Sequence, residues 1–276
     1  MKRLLTAAIG TPVMLAGVFL LRGVWFFVFD AFFITWAARE YLAMMRPRAP
    51  HAPLGLFLPL VPLAAVAMSL RQPAAPDGPL QLLIAGMVVS LGLGSLALLS
   101  RTPLQETIAS FGIFGFGIPY FAVPIASIYR LQDRDPWLVF LLLAIVWLGD
   151  TAAFYVGSRF GRHKMAPVVS PLKSWEGAAA GFLTGVFAAA VWGIWRLGRL
   201  DPGLVALAGL TAVAAQVGDL VESMLKRGLG VKDSGDALPG HGGILDRCDA
   251  LLFAAPVLFV GAWLLRLGPS TALPAW

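Results

Sequence analysis

Charge is what this chain has least of. Only 13% of its 276 residues are Asp, Glu, Lys or Arg, and 58% are hydrophobic, whereas soluble domains carry about 25% charge and about 45–50% apolar residues. Mean hydropathy is +0.79. A globular core of this length has no room for so much apolar surface, so the composition reads as an integral membrane protein and sets soluble classes aside. Cysteine is nearly missing too. The single Cys248 excludes an internal disulfide, and nothing marks an oxidising compartment. No GxxxxGK[ST] phosphate loop occurs, no internal repeat is visible, and no linker is long enough to separate independent domains. A pI near 9.9 would suggest nucleic acid in a soluble chain. Here the basic residues fall in short loops, where they report topology, and no nucleic-acid partner is expected.

A helix needs about 20 apolar residues to cross the hydrocarbon core. Charged and Pro/Gly-rich breaks predict an all-α, polytopic bundle of about nine spans, near 4–21, 24–44, 54–70, 80–99, 107–128, 137–157, 176–195, 203–225 and 248–266. The start MKRLLTAAIGTPVMLAGVFLLRG imitates a signal peptide but lacks a small-x-small cleavage site, so it reads as an uncleaved first span. Of the 21 Lys and Arg, 14 fall on one side of this arrangement and 7 on the other. The positive-inside rule then places the N-terminus in the cytoplasm and the C-terminus outside. Residues 1–145 read as a membrane scaffold and 146–276 as the catalytic region of one integral unit.

Against that background one stretch stands out, KRGLGVKDSGDALPGHGGILDRCDALLFAAP from Lys226. Eight charges fall within the 24 residues from Lys226 to Asp249, interleaved with glycine. Acidic residues inside apolar spans are costly and mark function by default. Here they are Asp30, Asp150, Asp219, Glu222, Asp246 and Asp249. Asp219, Glu222, Ser223 and Lys226 share one helical face near the cytoplasmic end of span eight, and Asp246 and Asp249 share another at the start of span nine. Several carboxylates flanking one loop suit Mg²⁺, which takes a few carboxylates together with water and phosphate oxygens. The loop itself suits a polyphosphate. Glycines such as Gly242 and Gly243 let the backbone approach, while Lys226, Arg227, Lys232 and Arg247 neutralise charge. His241 is either a general base, a phosphate donor or a hydrogen-bonding loop residue. A plain set of charge pairs would account for the aspartates but not for the glycines.

A second polar island, DTAAFYVGSRFGRHKMAPVVSPLKSWEG, precedes span seven on the same side. Asp150 lies in span six, and Arg159, Arg162, His163, Lys164 and Lys173 follow. A positive-inside anchor explains Arg159 to Lys164. It leaves SPLKSWEG unexplained, where Ser170–Pro171 turns the chain and Ser174 caps a helix with Glu176 close behind. Both islands on one side favour a composite cytoplasmic site. Asp30, alone in span two, reads as paired within the bundle.

The run Ser223-Met-Leu-Lys226-Arg227, then Lys232-Asp233, Leu238-Pro239-Gly240-His241-Gly242-Gly243 and Asp246-Arg247-Cys248-Asp249 resembles the signature of the phosphatidate cytidylyltransferases. DTAAFYVGSRFGR and SPLKSWEG resemble that family's second block. The likeness covers about 145–265, with mild departures at Cys248 and Ser174. It implies the reaction of CTP with phosphatidate to give CDP-diacylglycerol and pyrophosphate, requiring Mg²⁺ with K⁺ as a possible second cation. It also implies an all-helical membrane fold, a homodimer, and a metal centre on Asp219 and Asp246. Asp249, one turn deeper, either completes the shell or orients a ligand from behind it. Asp219, Asp246, Asp249 and Lys226 are then the expected catalytic residues. Substrate contacts are expected from Asp150, Lys173, Ser174, Ser223, Arg227, Lys232, Asp233, His241, Gly242, Gly243 and Arg247. The cell's inner or plasma membrane is the expected location, with the site facing the cytoplasm. Two rivals stay open: a CTP-dependent polyprenol- or phytol-type lipid kinase, and a cation transporter using the intramembrane aspartates. The absent DGxxAR motif argues against a CDP-alcohol phosphotransferase.

Overall fold

The computed structural model of the chain describes residues 2–52, 54–69, 92, 104–237 and 242–268. Eight helices have their bounds among these residues: α1 (Lys2–Leu20), α2 (Val24–Met45), α3 (Phe57–Ser69), α4 (Thr107–Arg134), α5 (Pro136–Phe160), α6 (Trp175–Leu197), α7 (Pro202–Gly228) and α8 (Leu245–Leu264). A small antiparallel hairpin, β1 (Lys164–Ala166) and β2 (Ser170–Ser174), joins α5 to α6. Each helix overlaps one expected span; the expected span at 80–99 lies outside the described residues except for Gly92. Among the described residues five helices, α4 to α8, are long and apolar enough to cross a membrane. Two shorter apolar helical stretches are Ala8–Leu20 and Leu54–Ser69, and α2 breaks its apolar run with Asp30, Arg39 and Glu40. The coarse expectation of a helical membrane protein holds. The hairpin is the exception: Ser170–Pro171 opens a strand and not merely a turn.

Local chemistry accounts for the helix ends. Asp135 caps α5 by accepting from the Trp137 N–H at 3.0 Å, with Pro136 at the first helical position. Ser174 caps α6 as expected, its Oγ accepting from the Gly177 N–H at 3.2 Å. Gly198 ends α6 in the left-handed region, φ 68°, where a side chain would be strained.

The chain forms two compact units: Met1–Arg130 with Leu229–Cys248, and Leu131–Gly228 with Asp249–Trp276. The first is centred on aromatic rings. Tyr41 of α2, Phe57 of α3 and Phe114 and Phe121 of α4 are all buried, with the Tyr41 and Phe121 centroids 5.5 Å apart and edge-on, a favourable arrangement. Gly117 makes room for them, since a Cβ there would lie 2.6 Å from Phe57 and 2.8 Å from Tyr41.

The second unit is held by small residues. A Cβ at Gly177 would lie 2.7 Å from the Ala153 carbonyl oxygen, and one at Gly181 would lie 2.9 Å from that of Gly149. Backbones of α5 and α6 therefore touch, as in membrane helices, where close packing replaces the hydrophobic drive. Gln216 of α7 donates its Nε2–H to the Ala178 carbonyl at 3.0 Å, and Gly218 allows α7 to approach α8, its Cβ position being 2.6 Å from the Asp249 carbonyl oxygen.

Candidate functional site

That last approach places Asp219, next in sequence to Gly218, beside the turn of α8 that carries Asp249. Within the second unit, Asp150, Asp219 and Glu222 all act electrostatically on Asp249. Four carboxylates from α5, α7 and α8 therefore crowd one region, and like charges so placed repel unless cations intervene. Two lysines intervene. Lys173, on β2, puts its Nζ 2.6 Å from Asp219 Oδ2, and Lys226 puts its Nζ 2.5 Å from Glu222 Oε2. Glu222 is 1% exposed, so Lys226 neutralises a carboxylate that water does not reach. Ser223 Oγ–H points to Asp219 Oδ1 at 3.5 Å, the outer limit of a hydrogen bond.

The hairpin earns its place through alternation. Successive side chains on a strand face opposite ways: Lys173 turns to Asp219 while its neighbour Leu172 is exposed. Arg227 Nε–H donates to the Val169 carbonyl at 3.3 Å, tying the end of α7 to the hairpin. Ser174, expected at the substrate, is buried and spends its oxygen on the α6 cap.

A second polar assembly lies in the first unit, around the glycine loop. Asp246 Oδ2 accepts from the Ser234 N–H at 3.1 Å, the Ser234 hydroxyl at 3.0 Å and the Gly243 N–H at 2.8 Å. An acidic residue in the first turn of α8 thus reaches back to the chain before it, in the manner of a capping box. Gly242 has φ 77°, and a Cβ there would lie 2.6 Å from Asp246 Oδ2, so both backbone freedom and space call for glycine. Lys232, Asp233 and Arg247 are exposed around this loop. His241 lies outside the described residues.

The expected residues therefore divide by unit. Asp150, Lys173, Asp219, Ser223, Lys226, Arg227 and Asp249 gather in the second; Lys232, Asp233, Gly242, Gly243, Asp246 and Arg247 belong to the first. Two participants escaped the sequence reading. Ser234 had no signal. Glu40 had one, a carboxylate near the end of an apolar span, but it was not singled out.

The donor set of the second unit fits a hard divalent cation, being made of carboxylate oxygens. Among the described residues no group of three or more His, Cys, Asp or Glu forms a ready metal cage. Mg²⁺ itself takes as few as one or two carboxylates, with substrate phosphates and water completing its octahedron. Within this set Asp219 and Asp249 stand on adjoining turns of α7 and α8, while Asp246, the third expected ligand, belongs to the first unit.

The sequence profile described as the cytidylyltransferase family matches residues 1–265. A phosphatidate cytidylyltransferase from Thermotoga maritima is 38% identical over 194 residues, covering 67% of this chain and 69% of that protein. One from Haemophilus influenzae is 37% identical over 199 residues, 64% of this chain and 67% of that protein. One from Staphylococcus epidermidis is 40% identical over 168 residues, 59% and 65% respectively.

Proposed function

Since this chain belongs to the cytidylyltransferase family, we propose that it transfers the cytidylyl group of CTP to phosphatidate, giving CDP-diacylglycerol and pyrophosphate in phospholipid biosynthesis. The observation that carries the site is the gathering of Asp150, Asp219, Glu222 and Asp249, from three apolar helices, with Lys173 of β2 and Lys226. A phosphatidate phosphate oxygen attacks the α-phosphorus of CTP. A P–O bond forms there as the bond to the bridging oxygen of the β-phosphate breaks, and pyrophosphate departs with the electron pair. The nucleophile is already anionic, so the protein's task is positioning and charge rather than base catalysis.

Two polyanions must meet, and the residues answer that repulsion. Lys173 and Lys226 stand on flexible stems against carboxylates and supply positive charge to phosphate oxygens. Arg227, Lys232 and Arg247 neutralise the triphosphate. Mg²⁺ on Asp219 and Asp249, with K⁺ as a second cation, would stabilise charge on the α-phosphoryl transition state and on the leaving pyrophosphate. Asp246 orders the glycine loop through Ser234 and Gly243, and its further role as a metal ligand rests on the family resemblance alone. The homodimer rests on that resemblance too. The 14 to 7 division of Lys and Arg supports nine spans, a cytoplasmic N-terminus and a site facing the cytoplasm of the cell membrane.

Purified protein with CTP labelled in the cytidine, phosphatidate, and Mg²⁺ added or withheld tests this reading. Label enters the lipid only with Mg²⁺. Lipid phosphorylated from the γ-position without cytidine would mean a kinase, and ion flux without lipid turnover would mean a transporter.

A further inference from the structure

Glu40 lies near the end of α2, some two hundred residues before the glycine loop, and is 7% exposed. Its carboxylate is fully engaged. Oε1 accepts from the Ile244 N–H at 3.0 Å; Oε2 accepts from the Leu245 N–H at 2.8 Å and lies 3.0 Å from Ser234 Oγ. The Ile244 carbonyl takes the N–H groups of Arg247 and Cys248, so α8 starts at this point and its first N–H groups have no partner within the helix. Glu40 supplies that partner from another helix, with the negative charge that a helix N-terminus favours.

The loop is built around this carboxylate. A Cβ at Gly235 would lie 2.9 Å from Glu40 Oε1, and one at Gly243 would collide with both Glu40 Oε2 and Ser234 Oγ. Ser234 Oγ stands 3.0 Å from Glu40 and from Asp246. It carries one hydrogen, so it donates to one carboxylate at a time and links the two. Next to Glu40, buried Tyr41 packs its ring against Phe57, Tyr120 and Phe121, so the anchor stands on packed ground.

We propose that Glu40 is a positioning residue for the cytidylyl transfer, clasping both ends of the glycine loop, Ser234 at one and Ile244–Leu245 at the other, so that Lys232 and Arg247 are presented to the triphosphate of CTP. This rests on the function proposed above. Substituting Glu40 puts a neutral or shorter group against three donors, and the loop loses its fixed span without any change to a group that touches substrate.

The test uses the full chain in detergent micelles with Glu40→Gln, Glu40→Asp and, as a control for charge loss in the same helix, Asp30→Asn. Glu40→Gln keeps one acceptor oxygen and puts an N–H₂ where the other oxygen met its donor, the Ile244 N–H or the Leu245 N–H. It is expected to raise the KM for CTP by about tenfold or more, a loss of about 1.4 kcal/mol, with the KM for phosphatidate within about twofold, well under that energy. Hydrogen exchange over residues 242–248, measured without substrate, speeds up in Glu40→Gln and is unchanged in Asp30→Asn. Glu40→Asp keeps the charge and lies between wild type and Gln. A wild-type CTP KM in Glu40→Gln, or equal losses for both substrates with a lowered melting point, overturns the proposal. If the wild-type protein moves no cytidine into lipid, the function reading fails and takes the catalytic meaning of Glu40 with it. The exchange comparison still decides whether Glu40 holds the loop.

Discussion

At Asp219 the carboxylate has two calls on it, the Lys173 ammonium at 2.6 Å and the metal proposed between it and Asp249. Asp219→Asn keeps the shape and removes the charge that both need. Turnover at saturating Mg²⁺ is expected to fall by more than tenfold, a loss above about 1.4 kcal/mol; a variant keeping more than about a tenth of wild-type turnover sinks the metal assignment. Lys226 behaves differently. It was expected to act on phosphate; its side chain is 13% exposed and sits 2.5 Å from Glu222, which is 1% exposed. Lys226→Ala removes the cation beside that buried carboxylate, and removing one partner of a buried pair costs about 3–5 kcal/mol. The melting point in detergent should drop sharply, and adding Glu222→Gln should recover much of it. If Lys226→Ala melts like wild type, the pair contributes nothing to the fold and Lys226 serves substrate alone.

Among the elements, the α5–α6 pair bears most directly on the site, because α5 brings Asp150 and the start of α6 holds the end of β2. Their approach depends on glycine facing backbone. At Gly177 an added methyl would meet the Ala153 carbonyl at 2.7 Å, an oxygen fixed in a helix that moves only with the helix. Gly177→Ala should therefore lower the melting point and, by shifting β2, raise the KM for substrate. Gly112, inside α4, has nothing within 4 Å of its Cβ position, so Gly112→Ala should be neutral or stabilising by up to about 1 kcal/mol, the difference in helix propensity. Equal behaviour of the two variants would show that helix contact at Gly177 is dispensable. The capping of α6 by Ser174 was foreseen from SPLKSWEG; the strand before it was not. Five residues are too few to show a period, and the hairpin owes its existence to pairing with residues 164–166.

For the whole molecule the question is which way the chain crosses. The division of basic residues predicts a reporter fused after Trp276 on the outer side and one inserted near residue 233 on the cytoplasmic side. Both reporters on the same face would break the nine-span arrangement. Among the described residues the five helices α4 to α8 are long and apolar enough to cross, and the two reporters test whether the chain crosses an odd number of times between residue 233 and its C-terminal end.

Apolar composition, the positions of most helices, the charged glycine loop and the identities of Asp219, Asp246, Asp249 and Lys173 were all legible in the sequence. Each depends on local facts: run length, residue type and spacing along one chain. Pairings across long separations were not legible. Lys173 finds Asp219 only because β2 folds back on α7, and Glu40 reaches Ile244 and Leu245 across 204 and 205 residues, whereas the Lys226–Glu222 pair, four residues apart on one helix face, was within reach of the sequence. Which donor a buried carboxylate meets is decided by packing, because a desolvated charge must find its partners wherever the fold brings them.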